Sequence, residues 1–170
     1  MLIDDMQRPD GLSTLGTRWE AITDRVMGGL SEAVLAREAH DGRASLRLTG
    51  RVRLDNDGGF VQMALDLDPE GGELDASARS GVALVVQGNG ERYGVHLRTA
   101  DVTRPWQSYR AGFVAGPDWT EVRLPFRDFT PHRLDAPLDP TRLRRLGLVA
   151  IGRPFRADLR LARIGFYRES

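Results

Sequence analysis

Two carboxylates held across a sugar ring suffice for glycoside hydrolysis, and Asp24, Asp55, Asp57 and Glu91 are the acids here that a fold can bring into such a pair. Nearly every acid in the chain, however, sits in a turn or on the polar side of an alternating segment, where surface acids lie. Asp55, Asn56 and Asp57 offer hard oxygen donors to Ca2+, but the run lacks the length and ligand spacing of a calcium loop. A turn in which Asn and Asp bond their own backbone accounts for it more simply. His40, His96 and His132 are dispersed, without a short ligand spacing, and the absence of Cys removes thiolate ligands, thiol nucleophiles and disulfides together. The reading is therefore no metal, no cofactor and no catalytic residue.

Trp19, Trp106 and Trp119, with Tyr109, have the surfaces to stack against a sugar or a peptide, and equally to fill the core of a small sandwich. Trp19 and Trp119 stand where residues pack at the start of a strand. Trp106, Tyr109, Trp119 and Arg98 form the candidate groove set.

The backbone carries a second signal. Residues 24–31 read DRVMGGLS and residues 55–60 read DNDGGF, each with a Gly pair behind acidic or amide residues. A Gly pair forgoes side-chain packing and backbone entropy, so it marks a positive φ or a close approach. Neither pair has dinucleotide-binding spacing or leads into a helix, and no Gly-Lys-Ser/Thr follows, so phosphate binding is not read from them. Both are read as structural, with the Asp24 carboxylate accepting the N–H groups of the turn around Gly28 and Gly29.

The elements that must position these residues are strands. In 45–54, Leu46, Leu48, Val52 and Leu54 alternate with Arg47, Thr49, Arg51 and Arg53, the period of a strand with one wet face. Residues 60–67 place Val61, Met63, Leu65 and Leu67 on one side. Further strands are expected at 82–86, 93–99, 107–114, 120–124, 145–151 and 158–167, and an apolar strand after Gly28-Gly29. Gly88-Asn89-Gly90 reads as a hairpin turn between 82–86 and 93–99, and a parity change in the last strand calls for a bulge near Ala162. Helix is confined to a short turn at 140–146, with Asp139 as its cap and Pro140 at its first position, while 70–78 reads as a polar, Gly-containing loop or another short turn. Many short antiparallel strands between Gly, Pro and Asp turns specify an all-β sandwich or jelly roll.

Composition agrees. A chain of 170 residues suits one domain, read as a single β-sandwich over 17–170 preceded by an N-terminal extension or first edge segment at 1–16. The 24 basic and 24 acidic residues cancel, which argues against nucleic acid or an anionic membrane as partner, and every basic residue outside the histidines is Arg. No apolar run approaches the length of a membrane helix and the N-terminus is not that of a secretory signal, so a cytoplasmic location is expected.

Trp19 followed by ITDRVMGGLSEAVL, then TGRVRLDNDGGFVQM, WQSYRAGF, WTEVRLPFRDFTP and LGLVAIGRPFRADLRLARIGFY together resemble the complex I intermediate-associated protein 30 family. The family pattern falls on Trp19, Asp24, Val26, Met27, Gly28, Gly29, Ser31, Asn56, Gly58, Gly59 and Phe60; Thr23 and Arg25 replace the Asn and Gly common in relatives. The resemblance implies a galactose-binding-like jelly roll, related to carbohydrate-binding modules and without established catalytic residues. It implies a protein partner, as for a mitochondrial member that assists assembly of the respiratory NADH dehydrogenase. The alternatives are a carbohydrate-binding module acting alone and, third, a glycan-active enzyme.

Overall fold

The computed structural model describes residues 1–57 and 59–169, so the expectation for Gly58 falls outside the described residues, as do those for the side chains of Met27 and Asp57. Twelve strands build two sheets: β1 (Leu2–Asp4), β2 (Glu20–Thr23), β3 (Glu32–His40), β4 (Arg43–Val52), β5 (Phe60–Asp66), β6 (Gly81–Gly88), β7 (Arg92–Thr99), β8 (Ser108–Val114), β9 (Thr120–Pro125), β10 (Thr130–His132), β11 (Leu143–Ile151) and β12 (Phe155–Tyr167). The first sheet runs β3-β4-β12-β6-β9, with β1 also paired to β12; the second runs β10-β8-β7-β11-β5-β2. The strand pairs are antiparallel, and among the described residues helix is limited to short 3-10 turns. This is the jelly-roll sandwich the alternation specifies.

The core forms where the apolar parities of the two sheets meet. Leu48, Leu84 and Leu159 come from the first sheet and Met63, Val95, Leu97 and Leu148 from the second, all essentially inaccessible to water. At about 1.5–3 kcal/mol per fully buried side chain of this size, that interface is the main term holding the sheets together. The bulge expected near Ala162 is present, as a register shift between Leu161 and Arg163 against β6. The Asp139-capped turn is present as well, with Thr141 N–H donating to Asp139 Oδ1 at 3.0 Å.

Two expectations change. The strand read at 45–54 ends at Val52 and Leu54 is exposed, because the chain there must leave one sheet for the other. Gly88-Asn89-Gly90 does not close a hairpin: β6 pairs with β12 and β9 while β7 pairs with β11 and β8, so this turn also crosses between sheets. Asn89 Nδ2 fixes the crossing by donating to the Arg156 carbonyl at 2.8 Å, and Tyr93 Oη bonds Asn89 Oδ1 at 2.7 Å. A turn tied to distant backbone is set by the packing of two sheets and not by its own local preference.

Two further crossings, from β2 to β3 and from β4 to β5, are organised by Asp24, which is fully buried. Its Oδ1 accepts Ser31 N–H at 2.9 Å, and its Oδ2 accepts the Ser31 hydroxyl and the N–H groups of Gly59 and Phe60. One carboxylate thus joins the start of a 3-10 turn (Asp24–Met27), the start of β3 and the start of β5. The Gly28 and Gly29 N–H groups expected on this carboxylate bond the Arg25 and Asp24 backbone carbonyls instead, because the side chain is turned to the starts of β3 and β5. The glycines follow from that arrangement. A Cβ on Gly29 would fall on the Asp24 carboxylate, and Gly28 (φ +85°) and Gly59 (φ +134°) hold conformations that side chains resist. Asn56, itself left-handed at φ 56°, completes the tie by donating to the Gly28 carbonyl at 3.2 Å. Asp55, weighed for Ca2+, accepts from Arg53 instead. Thr23 caps the 3-10 turn and Arg25 Nε donates to the Ser31 carbonyl at 3.0 Å, so both departures from the family pattern support the same junction.

Burial pushes the Asp24 pKa up, but the Ser31 hydroxyl and then the Gly59, Ser31 and Phe60 N–H groups outweigh it and hold the carboxyl below its ordinary value. A carboxyl whose folded-state pKa is depressed contributes stability above its unfolded pKa and loses it as pH falls through the folded value. Asp24→Ala leaves buried donors unpaired and is expected to destabilise the fold by about 1–3 kcal/mol at neutral pH. In thermal melts the gap from the parent should narrow below about pH 4, where the unfolded parent takes up a proton that its folded Asp24 still refuses. Gly59→Ala should cost about 1 kcal/mol through its positive φ alone.

Candidate functional site

The outward face of the second sheet carries a cleft of about 540 Å3. Its contents follow from register, because side chains of one parity go to the core and those of the other to the cleft. One row across the sheet reads Ile22, Gln62, Val149, Gly94 and Gly112 and the next Glu20, Ala64, Gly147, His96, Arg110 and Thr130, of which Ile22, Gln62, Val149, Gly147, His96 and Arg110 line the cleft. A third aligns Arg145 with Arg98, while Ser108 lies opposite His132 on the neighbouring pair. Gly147 keeps the floor low: a side chain there would displace the Gln62 amide that extends over it.

The two ends of the cleft differ. Ile22, Val26, Phe60 and Ile151 make one end apolar, with Val26 71% exposed, and the Asp24 junction sets this wall because Gly59 and Phe60 are two of its hydrogen-bond donors. The other end is polar and is closed by the loop between β7 and β8. Trp106 stands on that loop, 48% exposed. Arg98 holds the loop from below, donating to the Pro105 carbonyl at 3.1 Å and the Gln107 carbonyl at 3.2 Å. Gln107 Oε1 accepts the Thr103 and Arg104 N–H groups and its Nε2 donates to the Arg133 carbonyl at 2.9 Å. The Trp106 platform is therefore braced.

Of the groove set read from sequence, Arg98 and Trp106 line the cleft and the other two do not. Tyr109 points into the core, with its hydroxyl donating to the Ala136 carbonyl at 2.8 Å, since its neighbours Ser108 and Arg110 take the outward parity. Trp119 lies against His40 and Arg43, outside the cleft. Trp19 is buried and donates its indole N–H to Asp4 Oδ2 at 2.9 Å. Among the family-pattern residues, Val26, Gly59 and Phe60 reach the cleft, whereas Asp24, Gly29 and Ser31 are buried behind it.

Sequence reading weighs His96 and His132 only as metal ligands and does not single out Gln62 or Arg110, yet all four line the cleft. The signal was available: His96 shares parity with Arg98, and Arg110 pairs with His96 across β7 and β8. Burial first, then the Arg110 charge and His132, push the His96 pKa down to about 3. His132 is lowered by burial, Arg110 and Arg133. Both imidazoles are neutral at physiological pH and so act as hydrogen-bonding groups. Of the acids weighed for hydrolysis, Asp24 is consumed by its junction, Asp55 pairs with Arg53 and Glu91 with Arg153. No carboxylate lines the cleft among the described residues, which also contain no group of three or more metal-ligating side chains.

The depressed His96 pKa has a sign: below the unfolded-state value near 6.5 the unfolded chain takes up a proton that the folded chain refuses. Stability should therefore fall between about pH 6.5 and 3, and in an NMR titration the His96 ring should stay neutral through pH 5. His96→Gln should flatten that part of the stability profile.

The family model for complex I intermediate-associated protein 30 matches residues 7–161. No curated protein matches the chain. Among solved structures, the fold is similar to the family 11 carbohydrate-binding module from Clostridium thermocellum in complex with a β-1,3-1,4-mixed-linked tetrasaccharide (TM-score 0.72, 13% identity, covering 98% of this chain and 94% of that one). It is also similar to the family 30 module of a cellulosomal cellulase of Clostridium thermocellum (TM-score 0.62, 17% identity, 84% and 88%). An exo-β-agarase matches over 99% of this chain and 25% of its own, with a TM-score of 0.61 and 9% identity.

Proposed function

This chain belongs to the complex I intermediate-associated protein 30 family, and from that premise we propose that it is a carbohydrate-binding domain whose ligand lies in the cleft of the second sheet. It is a non-enzymatic binding domain of the galactose-binding-like jelly-roll type. The observation that carries the finer reading is the braced, half-exposed Trp106 beside a floor left open by Gly147. An indole face offers stacking to the C–H side of a sugar ring, while Gln62, His96 and the guanidinium of Arg98 supply the directional partners that hydroxyls need. The cleft volume lies within the range of small-molecule sites, large enough for a short oligosaccharide segment.

A second reading is assembly of a protein complex, such as respiratory complex I, in the cytoplasm. The family match favours it, and so does the apolar end of the cleft, where Val26 and Ile151 stand exposed. The two readings separate in one pair of measurements. Glycan-array screening followed by calorimetry should find an oligosaccharide bound at micromolar strength, weakened about tenfold or more by Trp106→Ala, the usual scale for truncating a central aromatic anchor. Empty arrays, with complex I subunits co-purifying from native cells and less assembled complex I in a deletion strain, would put assembly first.

A further inference from the structure

The sequence carries equal numbers of basic and acidic residues, yet the cleft does not share that balance: Arg98, Arg110 and Arg145 line it, and among the described residues no Asp or Glu does. Arg145 is answered at the sheet edge, by Glu20 at 3.5 Å and Asp66 at 3.7 Å. Arg98 and Arg110 differ. Arg98 donates only to the backbone carbonyls of the Trp106 loop, and Arg110 Nε donates to the Ser108 hydroxyl at 2.8 Å; neither has a carboxylate partner among the described residues.

A partly buried guanidinium without a counter-charge is costly, and its usual answer is a nearby carboxylate. This chain has the acids to supply one: Arg47 is clasped by Asp158 at 2.8 Å and Arg160 by Glu38 at 2.6 Å on the first sheet. In the cleft the same residue type is left to carbonyls, a hydroxyl and neutral imidazoles. Burial lowers the pKa of both, most strongly aided by Arg145 at Arg98 and by Arg133 at Arg110, so an anion entering the cleft would relieve repulsion as well as form hydrogen bonds.

We propose that the cleft selects an acidic saccharide, with a uronate carboxylate or a sulfate ester seated at Arg98 and Arg110 beside the Trp106 platform. This rests on the carbohydrate-binding reading and narrows its ligand class. The planar guanidinium matches either oxyanion through paired N–H donors, and partial burial makes the contact stronger than it would be at an open surface. A neutral glucan would gain the stacking contact and leave the two charges unanswered.

The test is calorimetry of the whole chain against three probes: a galacturonate hexamer, a sulfated galactan oligosaccharide and a neutral β-1,3-1,4-linked glucan tetrasaccharide. Binding of an acidic probe at least tenfold tighter than the neutral one, weakening as NaCl rises, is the expected result. The first two arms identify the oxyanion. Arg110→Gln should abolish the preference for the acidic probe while leaving the melting temperature close to the parent's, because Arg110 supports only Ser108. Arg98→Gln should do the same but also loosen the Trp106 loop, so Arg110→Gln is the deciding variant. Equal or better binding of the neutral glucan overturns the proposal and leaves the carbohydrate reading standing. Acidic binding unchanged in Arg110→Gln moves the anion away from this site and also overturns it. No binding of any probe overturns both.

Discussion

One buried carboxylate decides how the two sheets are joined at the wall of the cleft. Asp24 receives N–H groups from Ser31, Gly59 and Phe60 and the hydroxyl of Ser31, which belong to segments far apart in the chain. Its position forces glycine at 29 because no Cβ fits beside it, and it fixes where β5 begins. Remove the charge and several buried donors lose their acceptor together. The tie is cooperative in the sense that each hydrogen bond presupposes the backbone positions that the others set.

The cleft depends on that tie at one end and on Arg98 at the other. Both devices work alike: a charged side chain accepts from or donates to main-chain groups and thereby freezes a loop whose exposed side chains line the cleft. Val26 and Phe60 are held at the apolar end and Trp106 at the polar end. Between them the floor is strand backbone, rigid because β5, β11, β7 and β8 are hydrogen-bonded on both sides.

Most of the fold was legible because central strands bury one full parity. Val61, Met63 and Leu65 announce β5 without ambiguity, and the Leu161 to Ile164 parity change announces the bulge in β12. The strands left unread, β1, β2 and β10, are three or four residues long, too short for alternation to register; β2 and β10 also close the edges of the second sheet. Connectivity was harder than existence. Gly88-Asn89-Gly90 has the composition of a hairpin, but which sheet the next strand joins is fixed by long-range packing. In the site, Arg98 and Trp106 stood out by type and location and His96 shares the parity of Arg98, whereas Gln62 and Arg110 became visible only when neighbouring strands placed them in rows. Tyr109 was misplaced because residue type was weighed ahead of parity.

The wall separating cleft from core is a single backbone thick, and each strand of the second sheet furnishes both surfaces in alternation. A slip of β7 by one residue against β11 would present Val95 and Leu97 to water and drive His96 and Arg98 inward. Such a misfolded form would lose its core and its recognition surface in one event. Any selection acting on solubility therefore also guards the alignment of the cleft residues, and the outward positions remain free to change chemistry so long as the inward ones keep their count.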